Sequence, residues 1–169
     1  MTKSGITRRI DELGRIVVPK EIRFNLGIRD GEPLEIYTND NAIIIKKYSQ
    51  VENIKDISLK LCNIINDICN VGVLISDREK IISSSKELKD TNNYKLDDKL
   101  KKFIDNRETY ISIKEENILN ISGYFTIVPI ITSTDCSGLV IIATKDKHEE
   151  YLKYSKIIQK LIVEKLDIS

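Results

Sequence analysis

Histidine occurs once in these 169 residues, tryptophan not at all and cysteine three times, so the side chains that build most metal centres and many catalytic sites are scarce. No C-x-x-C pair is present, and a zinc site is not expected. Cys62 and Cys69 fall seven apart on one predicted helix, about 10 Å by helical rise and too far for a disulfide. The thiols therefore read as small core residues. Long apolar runs are missing as well. Ile127-Val128-Pro129-Ile130-Ile131 typifies the longest, against the roughly 18 to 20 residues that a membrane span needs. Met1-Thr2-Lys3-Ser4-Gly5 leads into structured-looking sequence without an apolar secretory segment, so a cytoplasmic protein with no membrane partner is expected. With three prolines and no low-complexity tract, nothing points to disorder.

Enzyme chemistry finds little support in what remains. His148, in Lys147-His148-Glu149-Glu150, reads as a lone exposed histidine rather than a catalytic group or metal ligand. Ser83-Ser84-Ser85 has no glycine-rich loop leading into a helix, so it reads as a solvated strand end rather than a phosphate cradle. Asp11 and Glu12 pair with no nucleophile and are expected to brace arginines. No catalytic residue, metal or cofactor is assigned.

Charge is where the chain is uneven. Lys and Arg number 27 against 26 Asp and Glu, a net +1. Residues 1–29 nevertheless carry seven cations and three acids, a net +4, while residues 30–50 carry two and four, a net −2. The positive front is where a polyanion would be met.

That front has a readable order. Gly5-Ile6-Thr7-Arg8-Arg9-Ile10 predicts a strand that ends in the turn Asp11-Glu12-Leu13-Gly14. Arg8 shares parity with Ile6 and Ile10, which places it at an edge or bend, or else twists the strand. Ile16-Val17-Val18 predicts a strand covered on both faces. Pro19 suits the first position of a helix that Gly27 ends. Within it Ile22 and Leu26 turn inward, and Lys20 and Arg23 share a different face. Leu34 to Thr38 and Ala42 to Lys47 form a hairpin about Asn39-Asp40-Asn41. Strand, strand, short helix and hairpin in so short a segment bury too little surface alone, so interleaving with a second copy is expected.

Residues 3–48 resemble the AbrB-type transition-state regulators. The resemblance is carried by Arg8-Arg9-Ile10-Asp11, Glu12-Leu13-Gly14-Arg15-Ile16-Val17-Val18-Pro19, Glu21-Ile22-Arg23, Leu26-Gly27-Ile28, Leu34-Glu35-Ile36-Tyr37 and Ile43 to Tyr48. It implies a swapped-hairpin β-barrel formed as an intertwined dimer, with Arg8, Arg15 and Arg23 as the leading DNA contacts. Arg9, Lys20 and Lys3 take lesser, positioning roles. The family commonly places a further arginine after the third of these, where this chain has Phe24. Arginine suits the task because its planar guanidinium can hold two acceptors, on phosphate or on a guanine edge.

Residues 51–70 predict a connecting helix that also opens the second domain. Ile54, Ile57, Leu61, Ile64 and Ile68 form a seam, and Ser58, Cys62, Ile65 and Cys69 a parallel stripe of mostly small residues. Such a wide face needs more than one neighbour, either a plain core or a core plus other subunits. From Val71 a hairpin (Val71–Ser76 and Lys80–Ser84), a helix near Leu96–Asn106 and strands at Thr109–Ile113, Tyr124–Ile131 and Gly138–Thr144 are predicted. Asp146 is placed to cap a last helix that buries Tyr154, Ile158, Leu161 and Ile162 and exposes Lys153, Lys156, Lys160 and Glu164. This α+β order, five antiparallel strands flanked by helices, is similar to a small GAF sensory domain.

The expected organisation is a DNA-binding front at 1–50, a helix at 51–70 and a sensor and oligomerisation domain at 71–169. Front and back together resemble transcription regulators of sporulation in endospore-forming bacteria. The implied partners are double-stranded DNA, further copies of the chain as a dimer and then a tetramer, and a small-molecule ligand of unknown identity. An autoregulating antitoxin is the alternative, weakened because residues 71–169 look globular rather than like a disordered toxin-wrapping tail.

Overall fold

A computed structural model describes residues 5–133, 135–146 and 149–167. The chain divides into two units, Met1–Tyr48 and Ser49–Ser169.

In the first unit, residues 5–18 have no ladder partner among the described residues. Helix α1 spans Lys20–Asn25, with Pro19 at its N-cap rather than inside the first turn. Gly27, at φ +61°, ends it in the left-handed conformation that glycine adopts without a Cβ penalty. Strands β1 (Leu34–Asn39) and β2 (Ala42–Lys47) pair antiparallel from Leu34 opposite Lys47 to Asn39 opposite Ala42. Asp40, at φ 50°, makes the tight turn.

The strands expected at 5–10 and 16–18 are therefore not formed in the single chain. A strand needs a neighbour for its N–H and C=O groups, and none of the described residues of this chain supplies one. The expectation that Ile16-Val17-Val18 is covered on both faces fails for the same reason, with Val17 75% exposed. No described residue of this unit is buried.

The second unit has a real core. Ser49 caps the short helix α2 (Gln50–Asn53), its Oγ accepting from the Glu52 N–H at 3.2 Å, and α3 follows at Lys55–Cys69. Asn70 ends α3 in the left-handed region. Strands β3 (Gly72–Ser76) and β4 (Ile81–Ser84) form a hairpin, a 3-10 turn covers Lys86–Thr91, and α4 spans Asp98–Asn106. Then come β5 (Tyr110–Ile111), β6 (Glu116–Ile118), β7 (Ile121–Ile131), β8 (Cys136–Thr144) and α5 (Tyr151–Asp167).

The sheet order is β4-β3-β8-β7-β5, with β6 paired on β7, and every pairing is antiparallel. The continuous apolar runs are explained by cover on both faces. Val73, Ile75, Val140, Ile142 and Ile130 point to α3 and α5, while Leu74, Leu139, Ile141, Phe125 and Ile127 point to the side where Leu100 and Ile104 of α4 lie.

Several expectations are corrected here. A sixth short strand, β6, joins the five, because the chain reverses through Leu119 and Asn120, both at positive φ. The strand expected at 109–113 shrinks to two residues, since Ser112 is taken up by Phe125, whose N–H donates to its Oγ at 2.7 Å. Helix α5 begins five residues beyond Asp146, which therefore does not cap it, and it buries Ile158, Ile162 and Leu166 while Leu161 lies exposed. The small stripe of α3 faces the sheet, and of the expected seam Ile54 and Leu61 join the core while its far end turns out. Ser58 and Cys62 are fully buried, and Ile64 and Ile68 are exposed.

Candidate nucleic-acid interface

The turn before Arg15 is built by one carboxylate. Asp11 Oδ1 accepts the Leu13 N–H at 3.1 Å and the Arg15 N–H at 2.7 Å, and its Oδ2 accepts from Arg15 Nε at 2.7 Å. Two backbone bonds close the same loop, from the Asp11 N–H to the Arg15 carbonyl at 3.0 Å and from the Gly14 N–H to the Asp11 carbonyl at 2.9 Å. Gly14 sits at φ +75°, which the turn requires. The Arg15 backbone N–H first, then its side chain, hold the Asp11 carboxyl below its ordinary value. Arg15 thus has its stem fixed while its side chain remains 71% exposed.

On α1, Lys20 and Arg23 lie three apart on one face, as expected. Arg23 donates through Nη1 to Asp30 beyond the helix, and the Ile28 N–H closes onto the Arg23 carbonyl at 2.7 Å. Asp30 escaped the sequence reading. Its only signal there is an acid placed just after the Gly27 stop. Arg8 and Arg9 stand exposed on the extended segment before the turn, with Arg8 Nη1 reaching the Thr7 carbonyl at 3.5 Å. Lys3 and His148 lie outside the described residues.

The arrangement can therefore present cations of two kinds. Arg15 and Arg23 are oriented by acids, whereas Arg8, Arg9 and Lys20 stand in solvent. An oriented guanidinium loses less freedom on meeting an acceptor than a loose one.

Other clusters of the molecule have structural explanations. The buried Ser76, Ser83, Ser84 and Ser85 hydroxyls all bond to nearby groups, such as the Val73 N–H donating to Ser85 Oγ at 3.1 Å. Asp77 ties down the β3–β4 turn by accepting the N–H groups of Glu79 and Lys80 at 2.7 and 2.8 Å. Arg78 bonds Asp135 and the Cys136 carbonyl, both at 2.8 Å, joining that turn to the one before β8. Among the described residues, no group of His, Cys, Asp and Glu is arranged to hold a metal, and no helix is long and apolar enough to cross a membrane.

Comparison with known proteins falls into the same two parts. Residues 7–53 match a family described as the antidote-toxin recognition protein MazE, a bacterial antitoxin. Residues 53–164 match the family described as stage V sporulation protein T C-terminal, transcription factor. Stage V sporulation protein T of Bacillus subtilis (strain 168) is 36% identical over 155 residues, covering 87% of each chain. The transition state regulatory protein AbrB of the same organism is 54% identical over 48 residues, 28% of this chain and 50% of AbrB. Among solved structures, residues 122 to 287 of a methyl-accepting chemotaxis protein share the fold at a TM-score of 0.52 and 12% identity, over 70% of this chain and 91% of that one. A front similar to AbrB is thus joined to an α+β domain, and this chain belongs to the stage V sporulation protein T family.

Proposed function

We propose that this protein is a cytoplasmic, nucleoid-associated transcription regulator of sporulation genes that binds double-stranded DNA through its first unit and performs no catalysis. Arg8, Arg15 and Arg23 make the leading contacts, with Arg9, Lys20 and Lys3 positioning them. The observation that carries this reading is the Asp11 carboxylate, which spends three hydrogen bonds on fixing the turn and stem of a single exposed arginine.

A second copy completes the front unit. With no buried residue among those described, it lacks a core of its own, and Ile10, Ile16, Val17, Leu26, Ile36 and Ile43 are the apolar surface that interleaved chains would remove from water. Ile64 and Ile68 of α3, with Ile157 and Leu161 of α5, are exposed on the helical side of the second unit. They extend the dimer to a tetramer. Native mass spectrometry of Ile64→Glu/Ile68→Glu should show half the parent's subunit number, and an unchanged count would remove this contact. A ligand taken by the second unit would act by favouring one packing of α3 over another. Retention of a small molecule in the same spectra, with a changed DNA affinity once it is removed, is the expected sign.

The central test is Arg15→Ala. It should remain folded and oligomeric yet lose most DNA affinity in a fluorescence anisotropy titration. If each subunit of a dimer makes about four cationic contacts, the parent's affinity falls roughly 10³- to 10⁵-fold between 50 and 200 mM salt. An Arg15→Ala protein that shifts DNA like the parent overturns the assignment. The antitoxin reading draws on the match of residues 7–53. A stable toxin-like partner recovered with the purified protein, in place of DNA binding, would establish it.

A further inference from the structure

Resting on the DNA-binding reading above, we infer that Phe24 is a specificity residue that reads thymine through its C5-methyl group. Phe24 is 83% exposed, more than any other large apolar residue among those described. Its position on α1 sets it apart from the other exposed apolar groups of the first unit. Ile22 and Leu26 are four apart on one side of the helix, the side available to a second copy. Phe24 lies four beyond Lys20 and next to Arg23, so it projects from the cationic face, with Lys20 between it and Arg23 around the helix. A surface carrying Lys20 and Arg23 is complementary to a polyanion and is a poor place to bury a ring against another copy of the same positively charged segment.

On that face the ring has only one kind of dry partner. The phosphate oxygens and most base edges of duplex DNA are polar and would be met by the flanking cations. The thymine methyl in the major groove is the apolar group that a phenyl ring can cover. Arg23, steadied by Asp30, fixes the helix against the backbone, and Phe24 follows it toward the bases. The contact adds no charge, so it contributes sequence preference without contributing to salt dependence.

The probe is a duplex selected from a random pool by the parent protein, together with copies in which single thymines are replaced by deoxyuridine, which removes only the methyl. At one thymine per half-site the replacement should weaken the parent about fourfold, the effect of one methyl left in water. Phe24→Ala should weaken binding to the all-thymine duplex by a similar factor, lose the response to deoxyuridine and keep the parent's salt slope. Phe24→Leu should retain part of the response. A flat deoxyuridine scan with the parent, or a Phe24→Ala protein as tight and as methyl-sensitive as the parent, overturns the inference. So does a loss of subunits from Phe24→Ala in native mass spectrometry, which would place the ring between chains. These outcomes leave the parent's own binding and its dependence on Arg15 intact. A parent that retains no duplex from the pool removes the DNA-binding reading itself, and this inference with it.

Discussion

Replacing Gly138 by alanine should be among the most damaging single-methyl changes in the second unit. Gly138 lies in β8, the strand between β3 and β7. A Cβ there would stand 1.9 Å from the Ser76 carbonyl oxygen, 2.8 Å from its carbon and 3.0 Å from the Asp77 Cα. All three are backbone atoms, so no side chain can swing aside. Contact at about 3.4 Å requires the ends of β3 and β8 to part by roughly 1.5 Å. That opening strains the Ser76–Leu139 pairing and the 3.1 Å bond from the Leu139 N–H to Ser76 Oγ. Two such bonds contribute about 1 kcal/mol each. Loosening around Leu74, Ile75 and Leu139, all fully buried, adds about 1 to 3 kcal/mol, as overpacking does elsewhere. The sum, about 3 to 5 kcal/mol, is a large part of the roughly 5 to 15 kcal/mol that holds a domain folded. In urea unfolding followed by far-UV circular dichroism, with a slope near 2 kcal/mol per M, the midpoint should fall by about 1.5 to 2.5 M. A shift below about 0.5 M, well under that expectation, would show that β3 and β8 do not approach as closely as this argument requires.

Three further outcomes follow from particular contacts. Asp11→Ala makes the front more positive, yet DNA affinity by anisotropy should fall, because the turn loses the bonds that fix Arg15; tighter binding would mean that net charge outweighs orientation. Glu116 accepts from both Tyr110 and Lys99, which lowers its own pKa below 4.5, and its hydrogen bond is the main reason that the Tyr110 hydroxyl is pushed up to about 12. The Glu116 contribution to stability is present above about 4.5 and lost as pH falls through its lowered value, and that of Tyr110 is present below about 10 and lost as pH rises through its raised one. Glu116→Gln should accordingly bring one tyrosine back toward its ordinary range in a spectrophotometric titration, and an unchanged curve would count against the bond. Burial raises the Cys62 thiol to about 12 and raises Cys136 as well; burial and then Glu150 raise Cys69 too, but it is only partly buried and so the more accessible of the three. Native alkylation read by mass spectrometry should label Cys69 well before the other two, and early labelling of Cys62 would contradict the packing of α3.

Much of this was readable from local rules. The Asp11–Gly14 turn, the helix bounded by Pro19 and Gly27, and the Asn39–Asn41 hairpin each rest on one or two residues whose backbone preferences hold in any context. The long strands announced themselves through unbroken apolar runs, and cover on both faces is why those runs show no alternation. Short β6 was invisible because Glu116-Asn117-Ile118 is too brief to show a period. The brace from Asp30 to Arg23 was missed because it depends on the path of the chain after Gly27.

The sequence by itself determined the turns of the front, the main helices and the long apolar strands of the second unit, and that positive charge gathers at the front, because those properties depend on near neighbours and simple counting. It left open which flank of α3 meets the sheet, since the stripe through Ile57 and Ile64 and the stripe through Ser58 and Cys62 can both lie against a core. Tertiary structure decided for the smaller side chains, which let the helix lie close to strands that are themselves rich in branched residues, and it turned Ile64 and Ile68 outward. It likewise decided that Ile6, Ile16 and Val17 find no ladder or core among the described residues of one chain, because pairing and burial depend on partners that local sequence does not name.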